Sequence, residues 1–560
     1  MSLLSALNIG TRALHASQLS MNVAGQNISN ADVEGYSRKR LNLSPDYRYD
    51  SSFGQMGMGV SVINIERMRN TFIDQQIRHQ NREVGYFEEI DHTFQGIENI
   101  FTEPGELGIQ SFMDQFFDSW QNLANNPSDL SARRMVKTNG EILTNVFHNL
   151  SGELRDLRNT RNDEIRERVN KVNQISEQIY NLNMEIGAVE IGNQNANDSR
   201  DRRDLLLKEL SKYVDITTTE NSQGQITVTT SGNILVSPVN FQKLEMTTAS
   251  TRESDGSTIV DVGIRFAESK RIYSPQGGQI KGLLDSRDQI IPEYQKMLDQ
   301  LAVALTENVN EIHKDAYTLK GYSGVSFFDP TVTGASDIRL SASVLSDVQN
   351  IAAASSGESQ PGVTNNLPAG THNYGAEPFQ LQRDPAVDPP VIARNVVRDT
   401  VVVRNTNGTV LREGVDYHID YVNGTFQMLH SGYDGDDLSI DFQYRSGGSK
   451  GPGDNSSALA IAGLRTKMTM NPDTIGNSTS TFGEFYSSMI GRLGLSRNQA
   501  GSNLETRNFL VEQYESHQDS ISGVSLDEEM ADLIRFQHTY QAAARLISVT
   551  DRMLDVLMNI

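Results

Sequence analysis

The sequence predicts an α+β protein of elongated, multi-domain form. Its expected architecture is a helical bundle or coiled-coil rod formed from both termini, with two inserted all-β domains. Three observations lead to this prediction. Heptad-spaced apolar residues occupy both chain ends, a further helical series of about forty residues runs through the middle, and two segments between helical stretches change to a two-residue alternation. A β segment with helices on both sides is expected to be an insertion into a rod.

The C-terminal residues 525–560 carry the strongest pattern. Apolar side chains recur there at alternating steps of four and three residues, and no Gly or Pro interrupts them. This spacing predicts a helix with one apolar seam, as in a coiled coil. Gln537 and Asp551 interrupt the seam; they either set the register of a helix pair, as buried polar residues can, or mark a frayed seam. The seam residues are Leu526, Met530, Leu533, Tyr540, Ala544, Ile547, Leu554 and Met558.

The first thirty residues repeat this arrangement more weakly, with Gly10 and Ser17 as gaps in the series. Chain ends usually fray, so a protein with helical seams at both ends is expected to pair them with each other and then with neighbouring copies. We expect both ends to be mobile in the monomer and to become ordered on assembly. The N-terminal seam residues are Leu3, Leu7, Leu14, Met21, Ala24 and Ile28.

The segment that follows, residues 30–61, is rich in Gly, Ser, Asp and Tyr and predicts extended or irregular backbone. Asn27, Asn30 and Gly35 lie where the first helix must stop, and Asn and Gly tolerate left-handed backbone angles. Tyr36 would then lie on an extended arm, together with Arg38. The segment is either a plain helix stop or a site of contact with a partner.

Helical periodicity returns in residues 64–99 and 150–190, and the second of these is the longest predicted helix. The aromatic cluster around Trp120 predicts a core stripe on another helix. Two segments alternate apolar and polar residues between Gly and Asn turns, as β domains do. The predicted domains are residues 1–62 with 520–560 (terminal coiled coil), 63–215 with 276–360 and 450–519 (helical rod), 216–275 (first β domain) and 361–449 (second β domain).

The composition narrows the classes of function. A net charge of −22 argues against a nucleic-acid surface, which needs concentrated Lys and Arg. The longest apolar runs fall far short of a membrane span, so no membrane insertion is expected, and the N-terminus lacks the features of a Sec-type signal peptide. The absence of cysteine excludes a disulfide framework and a thiolate metal site, and it favours an exported or surface protein over a cytosolic one.

No arrangement of residues predicts catalysis. The ten histidines form no HExxH pair, and no nucleophile motif or phosphate loop follows a predicted strand. The acidic residues 434–437 lack the spacing of a calcium loop and favour a hairpin turn. Glu528 and Glu529 are interpreted as charges at a helix start, where the helix dipole favours them. We therefore expect no catalytic site, no cofactor and no metal.

Both chain ends resemble a known family. NISNADVEGYSRKR, residues 27–40, resembles the motif shared by axial proteins of the bacterial flagellum, which include rod, hook and hook-associated proteins. Residues 522–560 resemble the matching C-terminal signature. The internal residues 278–313 and the helix at 155–189 are similar to hook-associated members that lie at the hook–filament junction. Residues 360–450 show no such likeness.

This resemblance implies a non-enzymatic structural subunit that forms an adaptor ring joining hook to filament in the extracellular flagellum. The implied partners are other copies of the chain, the hook protein, the second hook–filament junction protein, a cytoplasmic export chaperone at the C-terminal region and the flagellar type III export apparatus. Two alternatives remain open. One is another axial subunit of hook or filament type, and the other is a secreted surface-binding module that uses residues 361–449.

Overall fold

A computed structural model describes most of the chain. The described residues are 3–46, 48–51, 54–101, 108–192, 194–252, 258–321, 323–355, 362–384, 391–392, 396, 400–420, 424–443, 453–470 and 479–558.

Helices dominate these residues, and short strands fall in groups between them. The helices are α1 (Leu3–Ser29), α2 (Thr71–Phe101), α3 (Ile109–Asn125), α4 (Leu130–Glu190), α5 (Asn197–Tyr213), α6 (Gly278–Asp285), α7 (Ile291–Asp315), α8 (Ala342–Ser346), α9 (Ser456–Gly463), α10 (Phe482–Ser522) and α11 (Leu526–Met558). The strands are β1 (Lys39–Pro45), β2 (Arg48–Ser51), β3 (Gly54–Gly57), β4 (Val60–Arg67), β5 (Thr217–Glu220), β6 (Ile226–Thr230), β7 (Asn233–Val236), β8 (Leu244–Arg252), β9 (Thr258–Phe266), β10 (Tyr317–Thr318), β11 (Ala352–Ala354), β12 (Val363–Leu367), β13 (Phe379–Gln380), β14 (Gln382–Asp384), β15 (Val391–Ile392), β16 (Val402–Arg404), β17 (Tyr417–Asp420), β18 (Thr425–Met428) and β19 (Leu438–Phe442).

The largest apolar core lies in the rod, where α2, α3, α4, α7, α9 and α10 enclose it. Trp120 on α3 is fully buried there. Its ring centroid lies 5.2 Å from that of Phe327 and 6.3 Å from that of Phe116, both in edge-to-face geometry. The aromatic stripe predicted around Trp120 is therefore confirmed as part of the core.

Helix α4 is 61 residues long, or about 90 Å at 1.5 Å per residue. The sequence predicted only residues 150–190, which is too short. The missed residues 130–149 pack in the rod core, and α4 changes partners further along its length. Phe147 and Leu154 pack in the rod core, whereas the segment from Ile165 to Ile179 packs in a second core, so no single apolar face continues through the helix. The Asp129 side chain accepts a hydrogen bond from the backbone N–H of Ser131 and caps its start.

The second core joins the later half of α4 to α5, α6 and the first β insertion. Strands β5–β9 of this insertion lie inside the predicted range 216–275. One π-helical turn, Ser286–Ile290, separates α6 from α7. From that turn the buried Arg287 donates hydrogen bonds to the Val262 carbonyl at 2.6 Å and to Asn162 Oδ1 at 3.0 Å. Arg287 thereby ties strand β9 to helix α4.

The second β insertion has its own core. Strands β12, β19 and β16 form one antiparallel sheet, and β13, β18 and β17 form another. Phe426 and Phe442 are fully buried between them. With a helical rod, two β insertions and helices at both ends, the predicted α+β fold class is confirmed.

The arm after α1 is more regular than predicted. Strands β1 and β4 pair antiparallel, with a bulge at Asn42 and Leu43, and β2 and β3 form a hairpin between them. Because β4 extends to Arg67, α2 begins at Thr71 and not at residue 64 as predicted. The hydrophobic period could not separate this short strand from the helix that follows.

Helix α10 returns along α2 toward the start of the chain. Thr481 and Glu484 form a capping box at its N-terminus, with hydrogen bonds of 3.1 and 2.9 Å. Near its C-terminus, Gln518 donates a hydrogen bond to Asp74 in the first turn of α2. Residues 523–525 then separate α10 from α11.

Candidate functional site

The two terminal helices lie antiparallel against each other. Toward one end of the pair, Gly10 of α1 faces α11, and a Cβ built on Gly10 would lie 2.8 Å from Ile547 Cγ1. Toward the other end, Asn27 Nδ2 donates a hydrogen bond to Glu529 Oε2 at 3.1 Å. The predicted pairing of the beginning of the chain with its end is confirmed.

Small side chains make up most of the buried face of α1, which α11, β1 and β4 cover. The buried residues are Gly10, Ala16, Ser17, Ser20, Val23, Ala24 and Asn27. Among the predicted seam residues other than Ala24, the half-buried ones are Leu7, Leu14, Met21 and Ile28, and the side chain of Leu3 lies outside the described residues. The interpretation of Gly10 and Ser17 as gaps was wrong, because small residues let a neighbouring backbone approach closely while larger ones flank the contact.

Helix α11 has one covered face and one open face. Glu529, Phe536, Ala543 and Thr550 recur every seven residues, and three of them are buried while Phe536 is half-buried. The predicted seam does not coincide with this buried row of residues but lies beside it on the helix surface. Of its members, the half-buried ones are Leu533, Tyr540, Ala544, Ile547 and Leu554, and the exposed ones are Leu526, Met530 and Met558.

The polar interruptions of the predicted seam are not part of the covered face. Gln537 and Asp551 are both exposed, so they do not set the register of the α1–α11 pair.

The open face of α11 carries large apolar side chains that nothing in the described part of the chain covers. These are Ile534, Leu546, Val549, Met553 and Val556.

Asn27 is the centre of a buried hydrogen-bond network. Its Oδ1 accepts hydrogen bonds from the Tyr36 hydroxyl at 2.8 Å and from the backbone N–H of Lys39 at 3.0 Å. Its Nδ2 donates to the Lys39 carbonyl at 2.9 Å as well as to Glu529. Asn27 therefore does not act by a left-handed backbone angle, as the sequence suggested. It holds the arm after α1 and the first turn of α11 together.

Gly35 does have the left-handed backbone predicted for it, with φ of +79°. A Cβ there would also come within 3.4 Å of Leu205 on α5. Asn30 closes the end of α1, since its backbone N–H and its Nδ2 both bond to the Gln26 carbonyl. These two residues reverse the chain so that Tyr36 folds back onto Asn27.

Arg38 joins the arm to α11. Its Nε donates to Glu529 Oε1 at 2.7 Å, its Nη1 donates to Glu528 at 3.0 Å, and its backbone N–H donates to the Ser522 carbonyl at 2.8 Å. Glu529 is buried. The interpretation of Glu529 as only a charge at a helix start was therefore incomplete, because its carboxylate also accepts hydrogen bonds from Arg38 and Asn27.

A group of carboxylates on α5 anchors the same arm to the rod. Asp201 accepts hydrogen bonds from the Ser37 hydroxyl and from Arg67 Nη1, both at 2.7 Å, and Arg67 reaches Asp204 at 2.9 Å. Burial alone would raise the pKa of Asp204, but Arg69, Arg67 and Arg203 hold it below its usual value. Asp204 is thus a permanent anion at neutral pH.

The carboxylates of α5 also act on the arm's tyrosine. Lys39 is buried, forms an ion pair with Asp198, and has its Nζ 5.2 Å from the centroid of the Tyr36 ring. Burial, and then the charges of Asp198, Asp201 and Glu529, raise the pKa of Tyr36 far above its usual value. Tyr36 therefore stays a hydrogen-bond donor to Asn27 over the whole physiological range.

The sequence analysis did not predict the carboxylates of α5 that bind the arm. Asp198, Asp201 and Asp204 recur every third residue, which places three carboxylates on one face of α5. That spacing, set against the basic stretch 38–40, was the available signal. We name these residues, with Asn27, Arg38 and Glu529, the junction network.

The arrangement supports binding and orientation of the terminal helices. The described residues contain no group of three or more His, Asp or Glu side chains placed to hold a metal ion. The hairpin turn predicted at the acidic residues 434–437 was wrong, because the flanking strands β18 and β19 belong to different sheets. Asp434 and Asp437 instead accept the backbone N–H groups of Tyr374 and Ala369, each at 2.8 Å. No helix among the described residues is long and apolar enough to cross a membrane.

Three family profiles match segments of the chain. The profile described as the flagellar hook-associated protein FlgK helical domain matches residues 94–328. The C-terminal profile of flagellar basal body rod FlgEFG proteins matches residues 518–560, and the flagella basal body rod protein profile matches residues 7–36. The two terminal profiles therefore cover the α1–α11 pair.

Curated relatives match the whole chain. Flagellar hook-associated protein 1 of Bacillus subtilis is 26% identical over 588 aligned positions, which span 99% of this chain and 97% of the relative. Flagellar hook-associated protein 1 of Escherichia coli is also 26% identical, spanning 99% of this chain and 100% of the relative. The chain is thus similar to flagellar hook-associated protein 1 along its whole length, and its helical rod matches the FlgK helical domain. It is a structural subunit of the bacterial flagellum.

A solved flagellar hook junction protein has a similar fold. The flagellar hook junction protein FlgK from Burkholderia pseudomallei superposes with a TM-score of 0.55 at 18% sequence identity, covering 80% of this chain and 100% of that one. The resemblance to hook-associated axial proteins seen in the sequence is confirmed.

Proposed function

We propose that the chain is a non-enzymatic adaptor that forms a ring of subunits between hook and filament, with the α1–α11 pair as its assembly site. The open face of α11 is the observation that carries this proposal. Ile534, Val549 and Val556 are 51%, 41% and 61% exposed, although each is large and apolar. An exposed apolar stripe along a regular helix is typical of a surface that another protein covers.

The α1–α11 pair is expected to be fully ordered only when adjacent copies of the chain pack against it. The α1–α11 pair buries mainly Gly, Ala and Ser side chains, which remove little apolar surface from water. Full burial of a Val, Leu or Ile side chain is worth about 1.5–3 kcal/mol, so covering the five open-face residues adds several kcal/mol. Contacts with adjacent copies would thus supply stability that one copy lacks, and the terminal helices would become fully ordered on incorporation.

The remaining partners follow from the relatives' names and from the family. The copies would contact the hook protein on one side and the second hook–filament junction protein on the other. Before export, the open face of α11 would need a cover, and a cytoplasmic chaperone bound to the C-terminal region would supply it. The type III export apparatus would then deliver the chain to the extracellular flagellum.

Replacing open-face residues tests the assembly site. In the native host lacking its own copy, the double variant Ile534→Ser, Val549→Ser should fold with a stability within about 1 kcal/mol of the parent, since exposed substitutions cost little. It should nevertheless be missing from isolated hooks and leave cells without motility. Val415→Ser, an equally exposed residue of the second β insertion, is the matched control. Normal motility with a full ring of the double variant would refute the proposed site.

A further inference from the structure

The open face of α11 is basic as well as apolar. From Leu533 to Thr550 the chain has no carboxylate, although its net charge is −22. Arg535 pairs with Asp532 at the edge of this stretch. Arg545 and Arg552 are exposed and make no ion pair with any described residue. Asp551 and Asp555 lie near Arg552 in the sequence but form no ion pair with it, so the open face carries exposed arginines that have no ion-pair partner among the described residues.

A groove of opposite character lies at the foot of α11. It runs between residues 31–38, the C-terminal end of α10 and the link to α11, and its volume is about 790 Å³. Its apolar lining includes Val33, Leu205 and Ile521. Six carboxylates and three cations, Arg38, Arg69 and Lys208, line it, so its net charge is negative. Three of the carboxylates, Asp32, Glu34 and Asp519, are exposed and have no cationic partner among the described residues. We call this the acidic groove.

One copy cannot satisfy both surfaces by itself. The acidic groove ends at the first turn of α11, near Glu528. Arg545 lies nineteen residues further along the same straight helix than Leu526, a distance of about 28 Å at 1.5 Å per residue. Arg545 is therefore too far along α11 to reach the acidic groove of its own copy, and it is free to meet carboxylates of another molecule.

We propose that the basic, apolar open face of α11 docks in the acidic groove of a neighbouring copy. This rests on the proposed function and names the partner surface on which ring formation depends. The two surfaces are different, so each copy offers one of each, and the contact is heterologous. Heterologous contacts build rings or helical arrays and do not stop at a dimer. Charge complementarity also fixes the register of the contact and disfavours like-charged faces.

Charge reversal with rescue tests the contact in cells. Asp32→Arg with Glu34→Arg should lower the number of copies retained in isolated hook–filament junctions by at least about tenfold, and so should Arg545→Glu with Arg552→Glu, because each brings like charges together. All four changes in one chain should restore retention to within about threefold of the parent, because the attraction returns with its signs exchanged. Glu177→Arg and Arg134→Glu, exposed residues of α4, should have no effect.

The outcomes separate this inference from the proposed function. Full retention of either reversed pair would overturn the docking contact while leaving a junction subunit in place. A combined variant no better than the single pairs would overturn it as well. Absence of the parent chain from hook–filament junctions would instead refute the proposed function. Trp120 fluorescence of each purified variant shows whether the rod has folded.

The absence of cysteine allows a second test that does not depend on charge. A chain carrying both Asp32→Cys and Arg545→Cys should, on mild oxidation of isolated junctions, give a ladder of disulfide-linked multimers on a non-reducing gel. Each single variant should stay monomeric, and a mixture of the two should stop at dimers. A double variant that remains monomeric, or stops at dimers, would overturn the heterologous contact.

Discussion

The rod and the terminal helix pair bury different kinds of residue. In the rod, Phe116, Trp120, Phe147 and Phe327 are fully buried by several helices at once. In the α1–α11 pair, the buried positions include Gly10, and large residues such as Val549 remain exposed. The rod thus completes its core within one chain, whereas the terminal pair leaves part of its apolar surface to be covered by other molecules.

The link between these two regions is polar. None of the three apolar cores contains a residue of α1 or α11 among those described. The junction network of Asn27, Arg38, Glu529 and the α5 carboxylates holds the pair on the rod instead. Directional hydrogen bonds and ion pairs fix an orientation without adding a large apolar core, so the terminal pair can be placed correctly while remaining only marginally stable.

The largest difference in the free energy of unfolding should come from truncating one large side chain in the rod and one in the terminal pair. Phe116→Ala removes a fully buried ring from the rod and should lower the free energy of unfolding by about 3–5 kcal/mol, as large-to-small changes in cores do. Ile547→Ala, in the half-covered pair, should lower it by less than about 1 kcal/mol. Urea titrations followed by Trp120 fluorescence measure both. An equal loss of stability in the two variants would show that the terminal pair belongs to the same cooperative unit as the rod.

Acid should weaken the rod through His313. This histidine is fully buried, donates from Nδ1 to the Val325 carbonyl at 2.7 Å and accepts at Nε2 from the Ala352 N–H at 2.9 Å. Burial lowers its pKa to about 4, from 6.5 in the unfolded chain. The unfolded state therefore binds a proton below pH 6.5 that the folded state does not accept until about pH 4. Stability is complete above pH 6.5 and falls by about 3 kcal/mol between those values.

A variant without a titrating ring isolates this contribution. His313→Gln keeps an amide that can donate to Val325 and accept from Ala352, so its unfolding free energy should change less than the parent's between pH 6.5 and 4. Stability curves measured in urea at several pH values provide the comparison. Identical pH dependence in parent and variant would show that His313 does not titrate as its burial requires.

A smaller and more local effect is expected from Asn27→Asp. The new carboxylate would lose the donor to the Lys39 carbonyl and would face Glu529, at a cost of about 2 kcal/mol in local stability. Trypsin cleavage after Arg38 reports the open form of the arm, and 2 kcal/mol corresponds to cleavage about 30-fold faster. Asn22→Asp, exposed on the same helix, is the control. Equal cleavage of both variants would mean that Asn27 does not hold the arm.

Much of this fold could be predicted from periodicity. The seams placed helices over residues 1–30 and 525–560, where α1 and α11 are found, and the alternating segments gave both β insertions. Periodicity missed residues 130–149 of α4, whose apolar residues pack in the rod core and do not continue the face that runs from Ile165 to Ile179. It also failed for the end of β4, because the hydrophobic period could not separate this short strand from helix α2, which follows it.

The site was harder to predict for a physical reason. Hydrophobic patterns mark where large residues are buried, but the closest contact between the terminal helices is at Gly10, a residue with no side chain to mark it. The junction network depends on side chains far apart in the chain, such as Arg38 and Glu529. The motif at residues 27–40 marked one half of that network, and only the folded chain supplies the other half.

Hydrogen exchange tests the central claim most directly. Backbone amides of α11 should exchange at least about 100-fold faster than those of α4 in the purified monomer, because opening of the terminal pair requires far less than global unfolding. In isolated hook–filament junctions the same α11 amides should become strongly protected, while those of α4 change little. Strong protection of α11 in the monomer, equal to that of α4, would contradict the conclusion that neighbouring copies complete the terminal pair.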